Sequence, residues 1–190
     1  MVGLVIVLAL LLICSGYLVG TYNGLVNLRE SVKVAWANID VLLKQRHDEL
    51  PKLVDACKRY MQFEQATLEK VMRARGAVFQ ASSSGNIAAV GAAEQQLRAG
   101  MGQLFAVAEN YPQLKSDENF RHLQTRITGL EESIADRREL YNDQVNLNNI
   151  RIQSFPDVLI ASMFNFPAAH LLEFAQEEKS DVNVGALFAK

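Results

Sequence analysis

The stretch "VGLVIVLALLLICSGYLVG", residues 2–20, carries no charged side chain. Nothing else in the sequence limits the possible folds as much. As a helix it spans roughly 28 Å at about 1.5 Å per residue, close to the hydrocarbon thickness of a bilayer. A buried core helix can have the same composition. A cleaved signal peptide needs a basic leading region, and Met1-Val2-Gly3 supplies none. "LLIC" has the outline of a lipoprotein box, but Ile13 stands where a small residue should precede Cys14. Residues 1–20 are therefore expected to be an uncleaved, single-pass transmembrane anchor. Arg29 and Lys33 follow the run and no basic residue precedes it, which favours a cytoplasmic position for the remainder.

Gly16, Gly20 and Gly24 recur every fourth residue along one face of that helix. Rows of small residues let transmembrane helices approach closely, so these three are read as a helix-packing face for self-association. The competing reading is that glycine is common in membrane helices.

Beyond the anchor, apolar residues fall at Leu25, Leu28, Val32, Ala35, Ile39 and Leu42, in alternating steps of three and four. That spacing marks a helix packed on other helices, and no stop signal separates it from the anchor. The stripe resumes through Leu50, Leu53, Cys57, Tyr60, Leu68, Val71 and Val78, and "QASSSGN" at 80–86 predicts a loop. Ile87, Val90, Leu97, Met101, Leu104, Phe105 and Ala108 predict a third helical stretch. "NYPQLKSDEN" at 110–119 predicts a turn, with Pro112 ending one helix and Ser116 or Asp117 capping the next. Phe120, Leu123, Ile127, Leu130, Ile134, Tyr141, Val145 and Ile152 predict a long last helix that stops at Pro156. The fold class is therefore all-α: a transmembrane helix continuing into a long antiparallel bundle of three to four helices over residues 21–154. Four prolines and eleven glycines in 190 residues speak against a turn-rich β chain.

The composition then changes. Residues 155–175 carry only Asp157 and Glu173 as firm charges, and two prolines divide the stretch into pieces too short to cross a bilayer. Either it folds over the end of the bundle, or its apolar side chains make an interfacial or oligomer contact. The residues assigned to that contact are Phe155, Val158, Leu159, Ile160, Met163, Phe164, Phe166, Leu171, Leu172 and Phe174. Residues 176–190 read as a tail.

"KQRHDEL", residues 44–50, interrupts the apolar pattern with six consecutive polar side chains and is followed by Pro51. A retrieval tag works only at a C-terminus. His47, Asp48 and Glu49 are adjacent, so on a helix they point about 100° apart and do not converge on an ion. Pro51 removes one backbone donor, so it kinks or ends a helix, or else opens a new one. The stretch is read as a structural joint, with Arg46 or Asp48 serving backbone groups freed near Pro51. Arg73 and Arg75 read as closing a helix end. Glu131, Glu132, Arg137 and Arg138 read as a solvated face.

No HExxH, GxSxG, GxxxxGK[ST] or CxxC pattern occurs, so no catalytic, cofactor-binding or metal residue is assigned, and no cofactor is expected. A net charge of −2 gives no electrostatic ground for nucleic acid as a partner.

"YNGLVNLRESVKVAWANIDVLLKQRHDELPKLV" carries Tyr22-Asn23, Leu25-Val26, Leu28-Arg29, Ala35-Trp36, Ile39-Asp40, Lys44, Arg46, Asp48 and Leu50-Pro51 before Leu53-Val54. A second block brings Tyr111-Pro112, Leu114-Lys115, Glu118-Asn119-Phe120, Leu123-Gln124, Glu131, Ile134-Ala135, Arg137, Tyr141-Asn142 and Phe155-Pro156. Together, over residues 20–166, they resemble the LemA family of bacterial membrane proteins. The sequence departs from that pattern in lacking basic residues before the span and in continuing past Phe166. The resemblance implies an N-terminal membrane helix, a long helical bundle and no known catalytic activity.

These readings combine into a non-enzymatic scaffold of the bacterial inner (plasma) membrane. Its expected partners are membrane lipid, further copies of itself as a homo-oligomer, and other membrane proteins. The alternatives are a monomeric or dimeric adaptor regulating a membrane peptidase or sensor, or an enzyme whose convergent groups the sequence does not display.

Overall fold

The uncharged run and the first amphipathic stretch form one uninterrupted helix, α1, Val2–Lys58, in a computed structural model that describes residues 1–173. Five more helices follow among the described residues: α2 (Gln65–Ser83), α3 (Ile87–Ala108), α4 (Pro112–Ser116), α5 (Glu118–Gln153) and α6 (Asp157–Met163). The described residues contain no strand. Phe174 and the tail 176–190 lie outside the described range.

The described residues cluster into two units. The first combines Met1–Arg46 with Thr128–Leu171, and the second combines His47–Ile127 with Leu172 and Glu173. Each unit joins stretches distant in sequence, a partition distinct from the lengthwise one into residues 1–20, 21–154, 155–175 and 176–190.

In the first unit α1 runs antiparallel to the later part of α5. Gly24 lies opposite Arg151, Trp36 packs edge-on against Tyr141 with ring centroids 5.7 Å apart, and Arg46 pairs with Glu131. Ile39 and Leu43 on α1, and Ile134, Tyr141, Val145 and Ile152 on α5, are buried. The periodic residues of α5 thus face inward, as the spacing predicts. Asn148 is also buried, and its amide donates to Asn149. The chain after α5 folds back: Leu25, Ile152, Ile160, Ala161 and Phe166 form one apolar cluster. Pro156 sits at the start of α6 rather than inside it, where its missing donor costs nothing.

In the second unit α2 and α3 form an αα-hairpin turned by Ser84, Gly85 and Asn86. Gly85 adopts φ +67°, the left-handed conformation that only glycine takes without strain. Asn86 caps α3 by accepting from the Ala89 amide at 3.0 Å. Lys70 reaches Gln103, and Val71 packs against Gly100 in the same antiparallel register. Gly91 is required by packing: a Cβ there would collide with the carbonyl of Glu173, beside Leu172. Asp117 caps α5 through the Phe120 amide at 3.0 Å, and Tyr60 donates to the other oxygen of the same carboxylate. Those two donors hold the Asp117 carboxyl below the usual range, the backbone one foremost.

The structure departs from the periodic reading at two turns. The stripe from Leu50 to Val78 is not one helix, because the chain turns at 59–64. "RYMQFE" contains no glycine or proline. The turn is fixed instead by tertiary contacts: Met61 inserts into the core and Tyr60 bonds to Asp117. Pro112 does not end a helix. The third helix already stops at Ala108, and Pro112 opens α4, where proline is well tolerated.

Candidate functional site

Three features of the chain invite a functional reading: the apolar run, the polar block and the segment after α5. In the run, every residue from Met1 to Gly20 is exposed, and burial begins at Thr21. Its most apolar window has a mean hydropathy of 2.8, and none of it is buried among the described residues. Ser15 turns its hydroxyl back onto the Leu12 carbonyl at 2.9 Å, so this side chain brings no unmet donor into the run. Gly16 and Gly20 have nothing within 4 Å of an added Cβ, whereas a Cβ added at Gly24 would lie 3.9 Å from the Arg151 guanidinium. The three glycines therefore do not share one environment.

The polar block lies inside α1, and Pro51 does not end the helix. Arg46 takes the place in the inward stripe between Leu43 and Leu50 and is only 2% exposed. Its guanidinium faces the Glu131 carboxylate at 3.8 Å. Glu131 is thus an inward partner of a buried charge, not part of a solvated face. A lone buried guanidinium would be costly, and a facing carboxylate offsets that cost.

Within the second unit Glu49 is buried and gathers two cations. Arg126 approaches its carboxylate at 3.2 Å, and Lys52 does so at the same distance. Asp48 is exposed.

Pro51 leaves one backbone acceptor without its usual helical donor, the carbonyl four residues earlier, which is that of His47. Arg75 fills this gap: its Nε donates to the His47 carbonyl at 2.8 Å. The compensating side chain is therefore Arg75 of α2, not Arg46 or Asp48. Arg75 lies well inside α2 and does not close a helix end. Its Nη2 also contacts His47 Nε2 at 2.6 Å, and the imidazole stacks on Phe79 with centroids 4.5 Å apart. Since arginine has no acceptor, Nε2 must be the unprotonated nitrogen. Burial, and then the Arg75 charge, hold the His47 pKa below its ordinary value.

The third feature divides by burial. Ile160, Phe166 and Leu172 are buried within the protein, so they do not offer a surface to a partner. Phe155, Leu159, Met163 and Phe164 remain exposed, and Val158 and Leu171 are half-buried. Phe164 and Phe166 both meet the Tyr22 ring edge-on, at 4.8 and 5.8 Å. Arg29 lies over the Phe166 ring at 5.3 Å.

Among the described residues no three His, Cys, Asp or Glu side chains gather as a metal site. Burial pushes the Cys57 thiol up to about 12, which suppresses the reactive thiolate.

A long exposed apolar helix joined to helical units is the architecture of a protein able to cross a membrane once. The LemA family model matches residues 35–185, most of the chain, and the protein belongs to that family. The match reaches beyond Phe166, where the resemblance read from the sequence stopped. The chain is also similar to the magnetosome proteins MamQ 2 and MamQ 1 of Paramagnetospirillum magneticum, each 25% identical over 182 residues. Those alignments cover 83% of this chain and 65% of each relative, so the chain spans just under two thirds of their length. MamQ of Magnetospirillum gryphiswaldense is 22% identical over 170 residues, covering 76% of this chain and 62% of its own.

Two outcomes test the polar block, each read by thermal unfolding of the full chain in mild detergent. Arg75→Ala costs about 1 kcal/mol, and in a Pro51→Ala background, where an amide again reaches the His47 carbonyl, the cost falls by roughly half. An unchanged cost would refute the link between the proline and the arginine.

The second outcome concerns pH. The folded His47 resists protonation, while the unfolded side chain takes a proton near 6.5. Its stabilising effect is therefore complete above that value and is lost as the pH falls towards the lower folded pKa. His47→Gln removes this component, so the stability advantage of wild type over the variant should shrink on acidification. A pH-independent difference would contradict it.

Proposed function

We propose that the protein is a non-enzymatic, membrane-anchored helical scaffold that self-assembles in the bacterial inner membrane and organises the bilayer or neighbouring membrane proteins. The carrying observation is the apolar run of α1, which no part of the described chain covers. Leucine and isoleucine side chains left in water forgo about 1.5–3 kcal/mol each, so such a run belongs in lipid. The following helices stand on the cytoplasmic side, where Arg29 and Lys33 would lie just past the span.

Two features support assembly. Gly16 and Gly20 are open to close approach by another helix. In the first unit, exposed Val34 and Leu140 face a groove of about 650 Å³ between α1 and α5, bordered by Asn27, Ser31, Asn38 and Gln144. These positions repeat at helical spacing on both walls, which suits a helix from another copy. Anchors held side by side in one bilayer would then gain avidity without new contacts.

Size measurement of the full chain in mild detergent or lipid discs tests this reading. An oligomer is expected, and Gly16→Leu with Gly20→Leu, or Leu140→Glu, should shift it towards smaller species. A strict monomer in lipid would remove the assembly role. A single stoichiometric foreign partner on crosslinking would favour the adaptor reading.

A further inference from the structure

The segment from Phe155 to Phe164 lies beside the point where α1 leaves its apolar run, and it displays more apolar surface than a water-facing segment needs. We infer that this segment is a second membrane contact: α6 lies in the interfacial layer of the same bilayer that holds residues 2–20. This inference rests on the anchor proposed above.

Height along α1 sets the level of the segment. Tyr22, which touches Phe164, is two residues past Gly20, or about 3 Å along the axis. Leu25, which shares a cluster with Ile160, Ala161 and Phe166, is five residues past it, or about 7.5 Å. The headgroup zone on each side of a bilayer is about 5–8 Å deep, so α6 falls within it.

The exposed side chains suit that level. Asp157, Ile160 and Ala161 turn inward. The outward residues are Phe155 at 81% exposure, Leu159 at 61%, Met163 at 65% and Phe164 at 53%. Phe155, Leu159 and Met163 recur every fourth residue, and the only charge in the stretch, Asp157, is ion-paired with Arg151 and tucked away. No bare carboxylate therefore opposes entry into the interface. Tyr22 and Phe164 stand at the boundary, where aromatic rings favour the headgroup level. Half-exposed Arg29, over the Phe166 ring, lies nearby and suits a lipid phosphate.

Tryptophan scanning tests the placement. In a Trp36→Phe background, which removes the single native tryptophan, a reporter is placed singly by Leu159→Trp, Met163→Trp, Leu10→Trp or Val41→Trp. Each full-length variant is reconstituted in phosphatidylcholine–phosphatidylglycerol vesicles whose lipids are brominated either near the headgroup end or near the methyl end of the acyl chain. Circular dichroism checks that the helical content is unchanged. Fluorescence from positions 159 and 163 should fall by roughly half with the shallow bromines and much less with the deep ones. Position 10 should be quenched by the deep bromines, and position 41 by neither.

Quenching at 10 with none at 159 and 163 would overturn this inference and leave the anchor standing. That result covers the case in which a second copy shields the segment. Absence of quenching at position 10 would overturn the anchor itself.

Discussion

The structure depends on one mismatch between a surface and its solvent. Residues 1–20 carry no charged side chain and are all exposed among the described residues; inward packing starts at Thr21. A soluble protein would pack this surface away, since burial of apolar area is the largest favourable term in folding. Among the described residues nothing supplies that burial. Lipid can supply it without further backbone partners, because a helix satisfies its own amides and carbonyls.

The same helix then changes character along its length. Past the run it carries an inward stripe of Leu25, Ile39, Leu43, Leu50, Leu53 and Cys57, with Arg46 set into it. Two disruptions could have broken it, a charge in the core stripe and a proline in the interior. Each has a remedy outside α1: Glu131 faces Arg46, and Arg75 donates to the carbonyl that Pro51 strands. Continuity of α1 is therefore a tertiary property. Intrinsic propensity alone would favour a break at the proline.

That distinction explains what the sequence disclosed. The apolar run, the turn at Gly85, the Asp117 cap and the long stripe of α5 follow from local composition and periodicity and are present as helix and turn, whereas residues 80–83 of the expected loop continue α2 as far as Ser83. The family was legible from motifs spread over both halves of the chain. The turn at 59–64 was hidden because its cause is the insertion of Met61 and the Tyr60–Asp117 bond, which no local signal announces. The role of Arg75 was equally hidden. Counting four residues back from Pro51 identifies the orphan carbonyl, but only the fold reveals which donor arrives. In the C-terminal segment, composition marked a patch without showing that Ile160 and Phe166 face inward while Leu159 and Met163 do not.

Alkaline carbonate extraction of membranes bearing the full-length chain tests most directly whether lipid is the missing solvent. Such a wash strips proteins held at the surface and leaves those that cross the bilayer. The chain should stay with the membrane pellet and leave it only with detergent. Quantitative recovery in the supernatant as a monodisperse, detergent-free species would contradict it.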